Sequence, residues 1–181
     1  MTPNPLTITD VLPSFSGLPG VDGKTHSSND FSGARVLVIA FTCNHCPYVQ
    51  AYEERMIAFQ RDYPAKSATL IAINSNETNN YPEDRFEEMV KRAREKKFNF
   101  PYLRDERQTV AESFGASHTP EFFVFDEERV LRYHGKMDDN YKNPNNVQVK
   151  YLRDAVDALL AGKPVATPET YSIGCTIKWS G

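Results

Sequence analysis

Val36-Leu37-Val38-Ile39-Ala40-Phe41 is an apolar run with no polar interruption. A strand with one solvated face alternates apolar and polar residues, so a continuous run predicts a strand covered on both faces. Thr69-Leu70-Ile71-Ala72-Ile73-Asn74 has the same character. Between the two, Tyr48, Tyr52, Met56 and Phe59 recur at the spacing of one helix face, and Pro47 falls in the first turn, where its missing N–H costs nothing. Two doubly covered strands joined by a helix pair in parallel through a crossover, which places the chain in the α/β class.

The remaining patterns extend that plan. Pro82 opens a second helix whose Phe86, Met89, Val90 and Ala93 face inward, while Glu87/Lys91 and Glu88/Arg92 are spaced to pair on a solvated face. A short helix over 106–114 is stopped by Gly115. Glu121 to Asp126 and Val130 to His134 are two strands joined by a tight acidic turn, a hairpin. Val149, Leu152, Val156 and Leu159 mark a last helix, stopped by Gly162 and Pro164. Leu12 to Phe31 is rich in Gly, Pro, Ser and Asp, and its Asp22-Gly23 turn signal predicts an N-terminal hairpin. Gly23-Lys24-Thr25 is not a phosphate-binding loop, because the first glycine of that pattern would fall on Leu18. The element order predicts a three-layer sandwich around a mixed central sheet. It forms one domain with an N-terminal extension over 1–34, a core over 35–162 and a tail over 163–181.

A chain of 181 residues, 40% of them apolar, can bury a full core without disulfide or metal staples. Its cysteines are therefore free for chemistry. A net charge of -3 with interspersed lysines and acids leaves no basic footprint, which argues against nucleic acid as a partner. Met1 to Asp10 has neither the basic start nor the apolar stretch of a signal peptide, and no run is long enough to span a bilayer. A cytoplasmic setting without membrane partners is the expectation, and there an exchanging disulfide is favoured over a permanent one.

Cys43-Asn44-His45-Cys46-Pro47 falls where the first strand gives way to the helix. Two cysteines at this spacing can close a small disulfide ring, and the helix N-terminus stabilises the thiolate that opens it. The same spacing supplies half of a tetrahedral zinc site, but Cys175, His26, His118 and His134 stand alone and offer no second pair at short spacing. Two buried reduced cysteines are the plain structural alternative. The motif reads first as redox chemistry. Its position predicts Cys43 as the exposed, low-pKa thiol and Cys46 as the covered one, a turn inside the helix.

The motif at the end of the first long strand, together with Thr119-Pro120 at the opening of the hairpin, resembles the thioredoxin superfamily. The lead-in from Pro13-Ser14-Phe15 to Gly23-Lys24 is closer to the redoxin, peroxiredoxin-like (alkyl hydroperoxide reductase/thiol-specific antioxidant-like) branch than to thioredoxin itself. Tyr133 to Asp139 and Gly174 to Trp179 also resemble uncharacterised peroxiredoxin-like bacterial proteins. The resemblance implies a thioredoxin-like sandwich that needs no cofactor. It implies Cys43 as attacking thiolate, Cys46 as resolving thiol, and Pro120 as a cis-proline beside the sulfurs, with Thr119 offering its backbone to an extended substrate in a shallow apolar groove. Thr42, His45 and Pro47 flank the pair and are the candidates for tuning it.

Two departures stand out. Thioredoxin's tryptophan and buried acid are replaced here by Thr42 and Leu37, so the proton acceptor must be sought elsewhere, with Glu53, Asp105 and Glu121 as candidates. Cys46-Pro47 matches the peroxidatic Cys-Pro of peroxiredoxins, yet the accompanying threonine and proline positions hold Cys43 and Ile39. The leading expectation is a thiol:disulfide oxidoreductase acting on a protein or small-molecule disulfide with a dithiol donor or acceptor. A thiol-dependent peroxidase is the alternative, and a non-catalytic metal or partner-binding module the third reading. Cys175 lies in a tail that carries Ile173, Ile177 and Trp179 and can pack back on the domain. It is expected foremost as a buried free thiol, otherwise as an accessory thiol exchanging with Cys43 or with a second subunit, and last as a metal ligand.

Overall fold

The computed structural model describes residues 4–181. The two apolar runs form neighbouring central strands, β3 (Val36–Thr42) and β4 (Ala68–Asn74), buried at every position and paired in parallel. Two short N-terminal strands, β1 (Leu18–Pro19) and β2 (Thr25–His26), pair antiparallel around the Asp22-Gly23 turn. β5 (Tyr102–Arg104) joins the far side of β4, while β7 (Glu121–Phe125) and β8 (Leu131–Gly135) add the antiparallel hairpin beside β3. The sheet order is β5-β4-β3-β7-β8. Two further strands of two residues each, β6 (His118–Thr119) and β9 (Cys175–Thr176), pair with each other outside this sheet.

Because β3 and β4 are covered on both sides, the sheet needs two apolar layers. Tyr52, Met56 and Phe59 from helix α1 (Pro47–Asp62), Met89 from α2 (Phe86–Lys96) and Leu152, Ala155 and Val156 from α4 (Tyr151–Leu160) cover one face. Among the described residues the other face has one short helix, α3 (Thr109–Phe114), whose Val110, Ala111 and Phe114 cover part of the sheet. Phe15, Leu12 and Leu18 from the N-terminal segment and Ile177 and Trp179 from the tail complete that layer. Both extensions are thus structural parts of the sandwich.

The structure moves several predicted boundaries, each for a local reason. The short helix begins at Thr109 because Asp105 accepts the N–H groups of Val110 and Ala111 and so serves as its cap. It ends where Gly115 takes φ +63°, and a side chain there would run into the backbone of Asn4. Pro82 starts a 3-10 turn (Pro82–Asp84), and α2 proper follows at Phe86. Val149 is exposed and precedes α4. Arg92 turns away from the solvated pairing with Glu88 and forks onto the buried carboxylate of Glu53 on α1, with Nε at 2.6 Å.

The ring of Phe123 meets Phe41 at 5.8 Å and Phe114 at 5.2 Å edge-on, joining three elements of the second layer. Phe123→Ala is expected to cost about 3–5 kcal/mol in urea unfolding. A loss under about 1 kcal/mol would show that this layer is not held by the aromatic cluster.

Candidate active site

Where β3 ends at Thr42 the chain bends through Cys43, Asn44 and His45, and Cys46 becomes the N-cap of α1, with Pro47 in its first turn. Both sulfurs are buried, Cys43 at 1% and Cys46 at 0% exposure. The expectation of an exposed first cysteine is therefore corrected: nothing distinguishes the two by access. The Thr119–Pro120 bond is cis. Thr119 is buried between the two thiols, its Oγ1 3.5 Å from Cys43 Sγ and its carbonyl oxygen 3.4 Å from Cys46 Sγ. The shallow apolar groove expected beside it is not open. Strand β9 fills it, pairing Cys175 with Thr119, and Cys175 Sγ lies 2.7 Å from Cys46 Sγ. Cys175 is half-buried, packs with Tyr48 against Cys43, Cys46 and Val49, and meets Cys46 rather than Cys43.

Behind Cys43 lies a buried carboxylate that sequence reasoning missed. Asp84 is fully buried; its Oδ1 accepts hydrogen bonds from the Asn44 N–H at 2.7 Å and Asn74 Nδ2 at 3.1 Å, while its Oδ2 accepts from Asn76 Nδ2 at 3.0 Å and lies 2.6 Å from His45 Nδ1. Tyr102 adds a hydroxyl that donates to Asn44 Oδ1 at 2.8 Å. His45 also stacks on Tyr81 at 5.5 Å. The only sequence signal for this hub was polar: Asn74-Ser75-Asn76 directly after a buried strand and an acid in the first turn after Pro82. Neither signal names a partner.

These contacts set the charge distribution. The hydrogen bond from Cys43 draws the Cys46 thiol down to about 4, helped by Cys175 and by the backbone N–H of Val49 at the start of α1, with burial opposing. The same bond to Cys46, then burial, then the negative charge of Asp84 push the Cys43 thiol far up, and the Thr119 hydroxyl only partly offsets them. Burial and Cys46 push Cys175 up to about 11. These contacts lower the Cys46 thiol and raise the other two, so a negative charge is favoured on Cys46. Cys43 cannot take it cheaply, because the amide that follows it is already committed to Asp84.

The proposed proton acceptors lie elsewhere. Glu53 is bound by Arg92, Asp105 by Ser75 and the start of α3, and Glu121 by the Ser117 and His118 amides and His134. Thr42 and Pro47 hold the ends of β3 and α1. Cys43, His45 and Asp84 bring one ligand atom each to within 4.8 Å of one another. Of these, His45 Nδ1 and an Asp84 oxygen are hydrogen-bonded at 2.6 Å.

Residues 8–134 match the family model of the AhpC/TSA family, and the chain belongs to that family. Solved structures agree over nearly the whole length. A hypothetical protein from Sinorhizobium meliloti 1021 is 38% identical with a TM-score of 0.91, covering 98% of this chain and 97% of its own. An uncharacterised conserved protein from Geobacillus kaustophilus is 40% identical with a TM-score of 0.91, covering 98% and 94%. The thioredoxin domain of a thiol-disulfide oxidoreductase from Bacteroides vulgatus, 20% identical, shares the fold with a TM-score of 0.58 over 70% of this chain and 86% of that one. No curated protein matches the sequence. The protein is a thioredoxin-like redoxin with a mixed central sheet flanked by helices.

Brief iodoacetamide labelling of the reduced protein near pH 6, mapped by peptide mass spectrometry, is expected to fall on Cys46 ahead of Cys43, since only the lowered thiol is ionised there. Predominant Cys43 labelling would return the assignment to the sequence order. Asp84→Asn removes the charge that opposes the Cys43 thiolate and leaves buried donors poorly matched. Cys43 should then ionise at lower pH, and the fold should lose about 1–3 kcal/mol; an unchanged Cys43 titration would remove Asp84 from the electrostatic account.

Proposed function

We propose that the protein is a thiol:disulfide oxidoreductase in which Cys46 attacks and Cys43 resolves. The observation that carries this reading is the position of Thr119, in contact with both sulfurs while its strand accepts an extended, cysteine-bearing segment. An incoming disulfide R–S–S–R′ would lie along the same edge. The Cys46 thiolate attacks one sulfur, forming the Cys46–S–S–R mixed disulfide and releasing R′S⁻, which takes up a proton. Cys46 then no longer carries the charge that held the Cys43 proton in place, so Cys43 ionises and attacks Cys46 Sγ. RS⁻ leaves, the Cys43–Cys46 disulfide forms, and two thiols have been produced from one disulfide. A dithiol donor restores the starting state, and the same steps run in reverse would oxidise a substrate. A cytoplasmic setting, where such donors are maintained, suits this cycle.

A peroxidase reading has one observation in its favour: Cys46 is a depressed thiol followed by Pro47 at a helix start. Its thiolate would attack a hydroperoxide, leaving a sulfenic acid and an alcohol, and Cys43 would close the disulfide with loss of water. Neither the Thr119 carbonyl nor Cys175, which touch Cys46, is a cation or hydroxyl suited to a peroxide oxygen. Exchange is therefore the better supported chemistry.

Turnover of a glutathionylated peptide with dithiothreitol as donor distinguishes the two. The parent is expected to cycle, Cys46→Ser to be inactive, and the double variant Cys43→Ser, Cys175→Ser to stop at one mixed disulfide per chain when the donor is left out. Faster consumption of hydrogen peroxide than of the disulfide under the same conditions would favour the peroxidase.

A further inference from the structure

The substrate edge of this protein is already occupied, and by its own tail. His118 pairs with Thr176 and Thr119 with Cys175 in antiparallel register, and the Ile177 N–H donates to the Ser117 carbonyl at 2.9 Å. Gly174 permits the approach, since a Cβ there would overlap the Thr119 carbonyl oxygen. Farther on, the Lys178 N–H donates to Asn76 Oδ1 at 2.9 Å, its carbonyl accepts from Gln108 Nε2 and the Glu77 N–H, and Ile177 is buried in the second apolar layer. On the other side Thr170 is bound to His134. Between these anchors Tyr171 and Ile173 are exposed. The cysteine pair beneath is almost without solvent contact.

We propose that the C-terminal strand is a built-in substrate and that Cys175 is the third redox residue of the site, exchanging with Cys46. This rests on the exchange chemistry proposed above. Starting from the Cys43–Cys46 disulfide, the Cys175 thiol gives up its proton and its sulfur attacks Cys46 Sγ. The Cys43–Cys46 bond breaks, Cys43 leaves as thiolate and takes the proton, and a Cys46–Cys175 disulfide results. No net oxidation occurs; one disulfide replaces another. The oxidised state then sits between the half-buried Cys175, within reach of a donor, and the fully buried Cys46, so electrons enter through the tail. External disulfides reach Cys46 only when β9 lifts from Thr119.

The test is disulfide mapping after oxidation by oxidised glutathione and tryptic digestion without reduction. Cys43 and Cys46 share the peptide 36–55, and Cys175 lies on 154–178, so the two disulfides give distinct masses. The parent is expected to show 36–55 linked to 154–178 as a major species. Cys43→Ser should retain that link and Cys46→Ser should lose it. Gly174→Val, which keeps all three thiols but crowds β9 off Thr119, should reduce the link several-fold and raise iodoacetamide labelling of Cys46 by a similar factor. A parent that shows only the internal Cys43–Cys46 disulfide, with Cys175 free to alkylate, overturns the proposal. If that same protein still turns over the glutathionylated peptide, the exchange function stands without it. A linked Cys46–Cys175 species in a protein that turns over no disulfide would instead overturn the exchange function.

Discussion

The register between β3 and β7 is the constraint on which the site depends. Phe41 pairs with Glu121 at the end of an antiparallel ladder that begins with Leu37 opposite Phe125. Continuing the ladder two residues past each partner brings Cys43 opposite Thr119. A slip of one residue would turn every β3 side chain to the wrong layer, and both layers are apolar and filled, so the register is firmly set by packing. The active-site geometry is therefore a consequence of core packing, and the sulfurs need no staple to be held in place.

Within that frame the chemistry follows from a shortage of donors. Three sulfurs meet in a space with little water, and a thiolate there is tolerated only where hydrogen bonds and the helix N-terminus converge. Cys46 receives both; Cys43 faces the Asp84 carboxylate, which has taken its neighbouring amide. The arrangement sets the two thiols apart in acidity without any difference in exposure.

Much of this was legible in the sequence wherever the signal was local. The unbroken apolar run marks β3, the helix spacing marks α1, and the motif between them puts two cysteines at their junction. What could not be read was set by partners distant along the chain. Asp84 was indistinguishable from a surface acid because its burial depends on asparagines from the end of β4 and on the loop after β3. β5, β6 and β9 are too short to show a periodicity, and the pairing of Thr119 with Cys175 joins segments that share no pattern. Arg92 had a plausible neighbour at four-residue spacing, and a buried carboxylate on another helix won because a forked charged bond in a dry site outweighs an exposed pair. Helix position alone likewise does not reveal Asp84, whose charge raises the Cys43 thiol.

The most direct measurement is a site-resolved titration of the reduced protein, following the 13C-labelled Cβ shift of each cysteine between pH 4 and pH 10. The account predicts that Cys46 is already a thiolate at neutral pH, while Cys43 and Cys175 remain thiols until the solution is strongly alkaline. A Cys43 resonance that ionises in the acid range, with Cys46 protonated at pH 7, would contradict it.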